Sequence, residues 1–187
     1  MPLKSEDGKA LIKLVRESIK AGFSGKDVEV SDDIKDKYSE KLGVFVTLTI
    51  GGELRGCIGF PEPVFELYNG VIEAAKSAAF SDPRFGPLSK EEYSKIDVEI
   101  SVLTKPELIK VEKAEDYLRK IRIGEDGLII RGLYCSGLLL PQVFTEYKCD
   151  AGQALNMVCE KAGLDRDAWK ELDNKIYKFQ AQICQEP

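Results

Sequence analysis

Val44-Phe45-Val46-Thr47-Leu48-Thr49-Ile50-Gly51-Gly52-Glu53-Leu54-Arg55-Gly56-Cys57-Ile58-Gly59-Phe60 is the stretch on which the fold turns. An apolar, β-branched run, a Gly-Gly turn and a second apolar run make a β-hairpin. A three-residue loop pairs Ile50 with Leu54, Leu48 with Gly56 and Val46 with Ile58. That collects the apolar side chains on one face and leaves Thr47 opposite Cys57 and Thr49 opposite Arg55 on the other. A two-residue loop would mix Glu53 and Arg55 with Ile50 and Leu48. A slip of one exchanges the faces, so burial selects the first register. Against it stands only the left-handed loop position, which falls on Glu53 rather than a glycine. In this register Arg55 and Cys57 point to the same, more polar side.

Outward from the hairpin, the pattern alternates helices with strands. Ser5 caps a helix running to about Ala21, with Leu11, Leu14, Val15 and Ile19 on its inner face. Residues 24–39 are polar and read as surface loop with a short helical turn. Pro61 and Pro63 start a helix to about Ala79, whose stripe is Val64, Leu67, Tyr68, Val71, Ala75 and Ala78. Ser81-Asp82-Pro83-Arg84-Phe85-Gly86-Pro87 is a rigid loop, and Ser89 caps a short helix through Tyr93. Ile96 to Leu103 alternates strictly, so Asp97, Glu99 and Ser101 share one face.

Further on, 113–120 reads as a helix, and 121–123 with 128–130 as a second hairpin. Leu138-Leu139-Leu140 is a short strand ending at Pro141. Asp150 and Gln153 form a capping box for a helix through Lys161. A helical turn surrounds Trp169, and 177–183 reads as a single closing strand. Hairpins separated by helices, rather than strict β-α-β order, give an α+β fold: a largely antiparallel sheet with flanking helices. Residues 1–187 show no repeat and no linker, so one domain, with room for two subdomains, is expected.

Composition narrows the function. At 43% hydrophobic and 32% charged the chain is an ordinary globular protein. Its net charge of −5 argues against a nucleic-acid partner. Lys9, Lys13, Arg16 and Lys20 form a basic stripe at helical spacing, but Glu6 and Glu17 interrupt it, and it reads as a solvated face. No apolar run approaches the ~20 residues of a membrane span, and the first thirty residues lack a signal-like apolar region. A cytoplasmic protein is expected.

Five cysteines at wide spacings, with no Cys-x-x-Cys, make neither a disulfide framework nor a closed zinc site. The chain has no histidine. That excludes Ser-His-Asp and Cys-His catalysis and every histidine-held metal. Acid–base work falls to Asp, Glu, Lys, Tyr or Cys. No metal and no cofactor is expected.

Within these limits Cys57 is the sharpest candidate. As a nucleophile it needs a cation nearby, with Arg55 the local one, and a carboxylate such as Glu99 as base. The alternative is a small residue fitted against neighbouring backbone, where Gly56 and Gly59 permit the bend. Arg55 is suited to bind an anion; its alternative is a salt bridge to Glu99. Asp82 either closes an Asx turn or lines a site together with Arg84, facing Arg55. The glycine-rich runs lack Walker spacing.

Several segments together resemble the AMMECR domain family, in its prokaryotic, single-domain form. They are Gly43-Val44-Phe45-Val46-Thr47-Leu48, Leu54-Arg55-Gly56-Cys57-Ile58-Gly59, Ala79-Phe80-Ser81-Asp82-Pro83-Arg84-Phe85, Val98-Glu99-Ile100-Ser101-Val102-Leu103, Leu138-Leu139-Leu140-Pro141-Gln142-Val143 and Cys159-Glu160-Lys161-Ala162-Gly163-Leu164. They span nearly the whole chain, and Leu-Arg-Gly-Cys-Ile-Gly is that family's signature. Cys149 departs from the pattern, standing where members often carry an aromatic.

The resemblance implies a cytosolic α+β fold with a larger lobe, a smaller lobe and a cleft near the signature. It also implies a shared pathway with Memo-type and radical-SAM proteins, without defining an activity. Two readings follow. One is a small-molecule or anionic-ligand site formed by Arg55, Gly56, Cys57, Gly59, Asp82, Arg84, Glu99 and Ser101, with cysteine-dependent transfer or hydrolysis. The other is a non-catalytic scaffold for a partner protein.

Overall fold

The computed structural model describes residues 3–186. The chain divides into two compact units, Met1–Leu103 with Gln182–Pro187 and, inserted between them, Thr104–Ala181. The first unit runs through α1 (Ser5–Gly22), α2 (Asp32–Lys37), β1 (Gly43–Ile50), β2 (Glu53–Phe60), α3 (Leu67–Phe80), α4 (Lys90–Tyr93) and β3 (Ile96–Leu103). The second holds β4 (Glu107–Leu108), α5 (Tyr117–Lys120), β5 (Gly127–Arg131), β6 (Ser136–Leu139), α6 (Pro141–Glu146), α7 (Ala151–Lys161) and β7 (Lys175–Phe179). β8 (Ala181–Gln185) then returns to the first.

The first sheet has the order β2-β1-β3-β8, with β1 antiparallel to both β2 and β3. α1 and α3 cover one face of it. Val44, Val46, Leu48, Val98 and Ile100 from the strands meet Leu11, Val15, Ile19, Val71 and Ala75 from the helices, all essentially inaccessible. Each fully buried Val or Leu contributes roughly 1.5–3 kcal/mol by leaving water. Ala74, Ala75, Ala78 and Ala79 are all buried, so α3 lies close against the strands.

The fold is of the expected α+β class, but its strands form two antiparallel sheets rather than one. The second has the order β4-β7-β5-β6. Leu128, Ile130 and Ile176 pack with Phe144, Leu155, Val158 and Trp169 in its core.

Several boundaries differ from the sequence reading. Ser5 is the first residue of α1, not its cap. Lys4 holds the cap position, and its N–H donates to the Asp7 carboxylate (2.7 Å). α3 begins at Leu67, and Val64 is 55% exposed rather than part of the buried stripe. Pro-Glu-Pro disfavours helix at 60–62, and the strap is tied back by Leu67 N–H to Glu40 C=O (2.9 Å).

In the second unit 121–123 is not a strand. Asp126, 1% exposed, accepts from the Arg122 N–H (3.0 Å) and closes a turn. β5 pairs instead with β6 and β7. Pro141 does not simply end a strand; it opens α6, where its missing N–H costs nothing. The single closing strand is two strands, parted at Gln180, in different sheets.

Candidate functional site

Gly51 and Gly52 both have positive φ, 59° and 84°. They form a two-residue turn whose twist suits the strands, pairing Ile50 with Glu53 and Thr49 with Leu54. Deeper in the hairpin, Leu48 faces Gly56, Thr47 faces Cys57 and Val46 faces Ile58, as burial demands. Both pairings coexist because the register shifts after Leu48, and the extra residue is Arg55. The three-residue loop expected from the sequence is thus replaced by a two-residue turn and a bulge. Thr49 does not pair with Arg55.

The bulge takes Arg55 out of the strand's alternation and into an ion pair. Its Nε and Nη2 fork onto Glu92 (2.8 and 3.0 Å), and Nη2 also donates to the Gly86 carbonyl (3.0 Å). Glu92 additionally accepts the Ser89 N–H at the start of α4 (2.8 Å). Held by Arg55 first and that amide second, its carboxyl drops from an ordinary 4.5 to about 2. The partner of Arg55 is therefore Glu92, not Glu99.

Cys57 lies on β2, an edge strand of the sheet. Its N–H donates to Asp82 Oδ2 (2.9 Å), and its carbonyl accepts from Arg84 Nη2 (3.1 Å). Asp82 is buried and also accepts the Arg84 N–H, Nε and Nη2 (3.0, 3.0 and 2.7 Å). The bond from the Arg84 N–H is the expected Asx turn. With Arg84 dominating and the two amides assisting, the Asp82 carboxyl is held well below the usual range. A carboxylate and a guanidinium thus take the places that C=O and N–H of a neighbouring strand would hold at Cys57. The Phe85 ring lies under both guanidinium groups, 5.7 Å from Arg55 and 5.5 Å from Arg84.

The Cys57 side chain lies on the sheet face away from the helices, half-buried, and Sγ accepts from Thr47 Oγ1 (3.3 Å). Thr47 faces Glu99 on its other side, and Gln185 Nε2 donates to Glu99 Oε2 (2.5 Å). Cys57, Thr47, Glu99 and Gln185 therefore make a polar row across four strands. Ser101 is on the same face, buried opposite Phe45.

Gly56 turns to the other face. A Cβ there would lie 2.2 Å from the Ala78 carbonyl, so the approach of α3 requires glycine. Gly59 is packed against Val44 backbone and the Phe45 ring. Among the eight candidate positions, the structure groups Cys57 with Asp82 and Arg84, and sets Arg55 in a separate pair. Glu99 and Ser101 are on the Cys57 face, and both glycines are in close packing.

Sequence reasoning missed Glu92 and Gln185. The Ser89-x-x-Glu92 spacing of a capping box is the local signal that fixes Glu92 at the start of α4, but nothing local links it to Arg55. Arg84, rather than Arg55, is the cation beside the thiol. Its pKa is raised first by Asp82 and also by Cys57. Burial pushes the Cys159 thiol up to about 11 and raises that of Cys184. Among the described residues no group of three or more Cys, Asp or Glu is placed to hold a metal ion, and no helix is long and apolar enough to cross a membrane.

An α+β protein with helices packed on antiparallel sheet, and a cysteine fixed on a pinned edge strand, is the class that fold and site define. The AMMECR1 family model matches residues 12–184, and the chain belongs to that family. A protein of Methanothermobacter thermautotrophicus is 48% identical over 186 residues, covering 99% of this chain and 97% of that one. One from Methanocaldococcus jannaschii is 47% identical, covering 98% and 92%. The crystal structure of an uncharacterized protein from Pyrococcus horikoshii superposes with a TM-score of 0.88 at 44% identity, covering 97% of this chain and 92% of the other.

Proposed function

We propose that the chain binds a small anionic ligand on the polar face around Cys57, with the thiol as its reactive contact. Arg84 supplies positive charge beside the thiol, and Glu99 is the carboxylate of the row that takes up a proton. The observation that carries this reading is the fixing of Cys57 from three sides. A buried carboxylate holds its N–H, a guanidinium its carbonyl and a hydroxyl its sulfur. Such positioning is what a reacting group needs. The five cysteines are all free thiols, which suits the reducing cytoplasm.

Paired alkylation with neutral iodoacetamide and anionic iodoacetate, read by peptide mass, tests it. Cys57 is expected to label faster than Cys135 and Cys149 and to favour iodoacetate relative to them. Arg84→Ala should remove that preference. Labelling of Cys57 no faster than Cys135, with no preference for the anion, overturns the reading.

A second reading, a scaffold for a partner protein, is favoured by the turn between β5 and β6, where Leu133 and Tyr134 are 85% and 94% exposed. A Memo-type protein, suggested by the family resemblance, is the natural probe. Co-elution with this chain on a sizing column, lost in Leu133→Ser/Tyr134→Ser, is the outcome expected of a scaffold. Separate elution counts against it.

A further inference from the structure

The basic stripe of α1 borders a groove that the Cys57 face does not use. On the helix-covered side of the first sheet, α1 and the edge strand β8 enclose a space of about 600 Å³. Its floor is apolar, made by Gly8 and Ile12 of α1 with Cys184 of β8, and the Ile183 backbone borders it. A Cβ at Gly8 would lie 3.0 Å from Cys184 Sγ, so glycine lets the strand close on the helix here.

One end is sealed. Arg16 forks onto Glu186 (2.8 and 2.6 Å) and donates to the carbonyls of Tyr93 and Ile96 (2.9 and 2.6 Å). Lys9 and Lys13 stand along the rim, both exposed; Lys13 has only a loose 3.7 Å contact to Glu17. The charged groups lining the groove are thus two available ammonium groups and one internally neutralised pair. On a chain of net charge −5, this is a local positive site.

β8 supplies the second half of the argument. The Glu186 N–H donates inward to Val98 C=O on β3 (3.1 Å). Alternation along the strand then turns the N–H and C=O groups of Ile183 and Gln185 outward, and both residues are exposed. A row of outward backbone groups beside a helix is the arrangement that accepts an added strand.

We propose that the groove between α1 and β8 binds an extended acidic segment of a partner protein as a fifth strand. Its backbone pairs with Ile183 and Gln185, its apolar side chains enter the floor, and its carboxylates meet Lys9 and Lys13. A second copy of this chain fits less well, because pairing two β8 edges brings like-charged rims together. The apolar floor likewise offers little to nucleic acid.

Random-peptide display against the full chain provides the probe, followed by fluorescence anisotropy and amide-shift mapping with the best enriched peptide. Enriched peptides should combine Asp or Glu with Val, Ile or Leu, and perturb the amides of Ile183–Glu186. Lys9→Glu with Lys13→Glu should weaken binding at least about tenfold, as should added salt. Ile183→Pro, which removes an outward N–H at an edge that tolerates proline, should do the same with its melting temperature retained.

No enrichment, enrichment without acidic residues, or unchanged affinity in the lysine variant overturns the proposal. So does a concentration-dependent dimer, seen by sedimentation and lost in Ile183→Pro, which would assign the edge to a second copy.

Discussion

Asp7, Asp82 and Glu92 each hold a backbone N–H together with a basic side chain. Asp7 accepts from the Lys4 N–H and the Tyr38 hydroxyl and pairs with Lys37 (2.7 Å), bringing its carboxyl to about 2, with the Lys37 bond the largest cause. Glu92 reaches about 2 through Arg55, and Asp82 is depressed further by Arg84. All three have folded values below their unfolded ones. Their stabilisation is therefore complete above the unfolded values and is lost as pH falls toward the folded ones. Urea midpoints should hold steady down to about pH 5 and then fall toward about pH 2, with Asp7 contributing on the order of 1–2 kcal/mol after screening. Arg55→Ala should flatten part of that fall by returning Glu92 toward its ordinary value; an unchanged slope would contradict the pairing.

The identity of that partner was beyond local sequence. Glu99 and Glu92 are both acids downstream of Arg55, and only the bulge decides between them. The bulge arises from two demands at once: a glycine pair that prefers a two-residue turn, and a buried face that keeps Leu48 opposite Gly56. Each was visible separately, and only together do they require an extra residue. The Asx turn at Asp82 was legible because its geometry is confined to three residues. The contact from Asp82 to the Cys57 N–H joins positions far apart in sequence, and no pattern announces it.

Among the elements, those specified within themselves were read well. β3 occupies Ile96–Leu103 as its alternation required, and α7 follows its Asp150–Gln153 capping box. Those defined by a partner were not. Tyr177 to Ile183 alternates without interruption, yet the strand breaks at Gln180 because its halves pair in different sheets. At 121–123 apolar residues flank a turn, and the buried Asp126 decides the local structure. The packing of α3 on β2 gives the prediction at this scale. Gly56→Ala inserts a methyl where the Ala78 carbonyl stands 2.2 Å away, and helix and strand must separate. A loss of about 2–3 kcal/mol is expected from such overpacking, measurable by chemical denaturation; near-neutral stability would show that α3 yields easily.

In the molecule as a whole, residues 104–181 form a continuous insertion between β3 and β8 of the first unit. Its two ends are tied together, with the Thr104 N–H donating to the Gln180 carbonyl and the Gln180 N–H to the Thr104 hydroxyl (both 2.9 Å). The first sheet therefore keeps its four strands despite the long excursion. That sheet has two different margins. β8 turns backbone groups outward, whereas β2 carries a bulge at Arg55, an ion pair over Cys57 and a proline at its end.

The Asp82–Arg84 pair has a consequence for self-assembly. A sheet with two receptive margins can stack margin to margin without limit, whereas one with a single receptive margin stops after one addition. Removing both side chains, as in Asp82→Ala/Arg84→Ala, is expected to permit polymerisation. Thioflavin fluorescence and electron microscopy should detect fibrils of the variant under conditions where the parent protein gives none. A two-residue ion pair would then be what keeps this chain from growing into a filament.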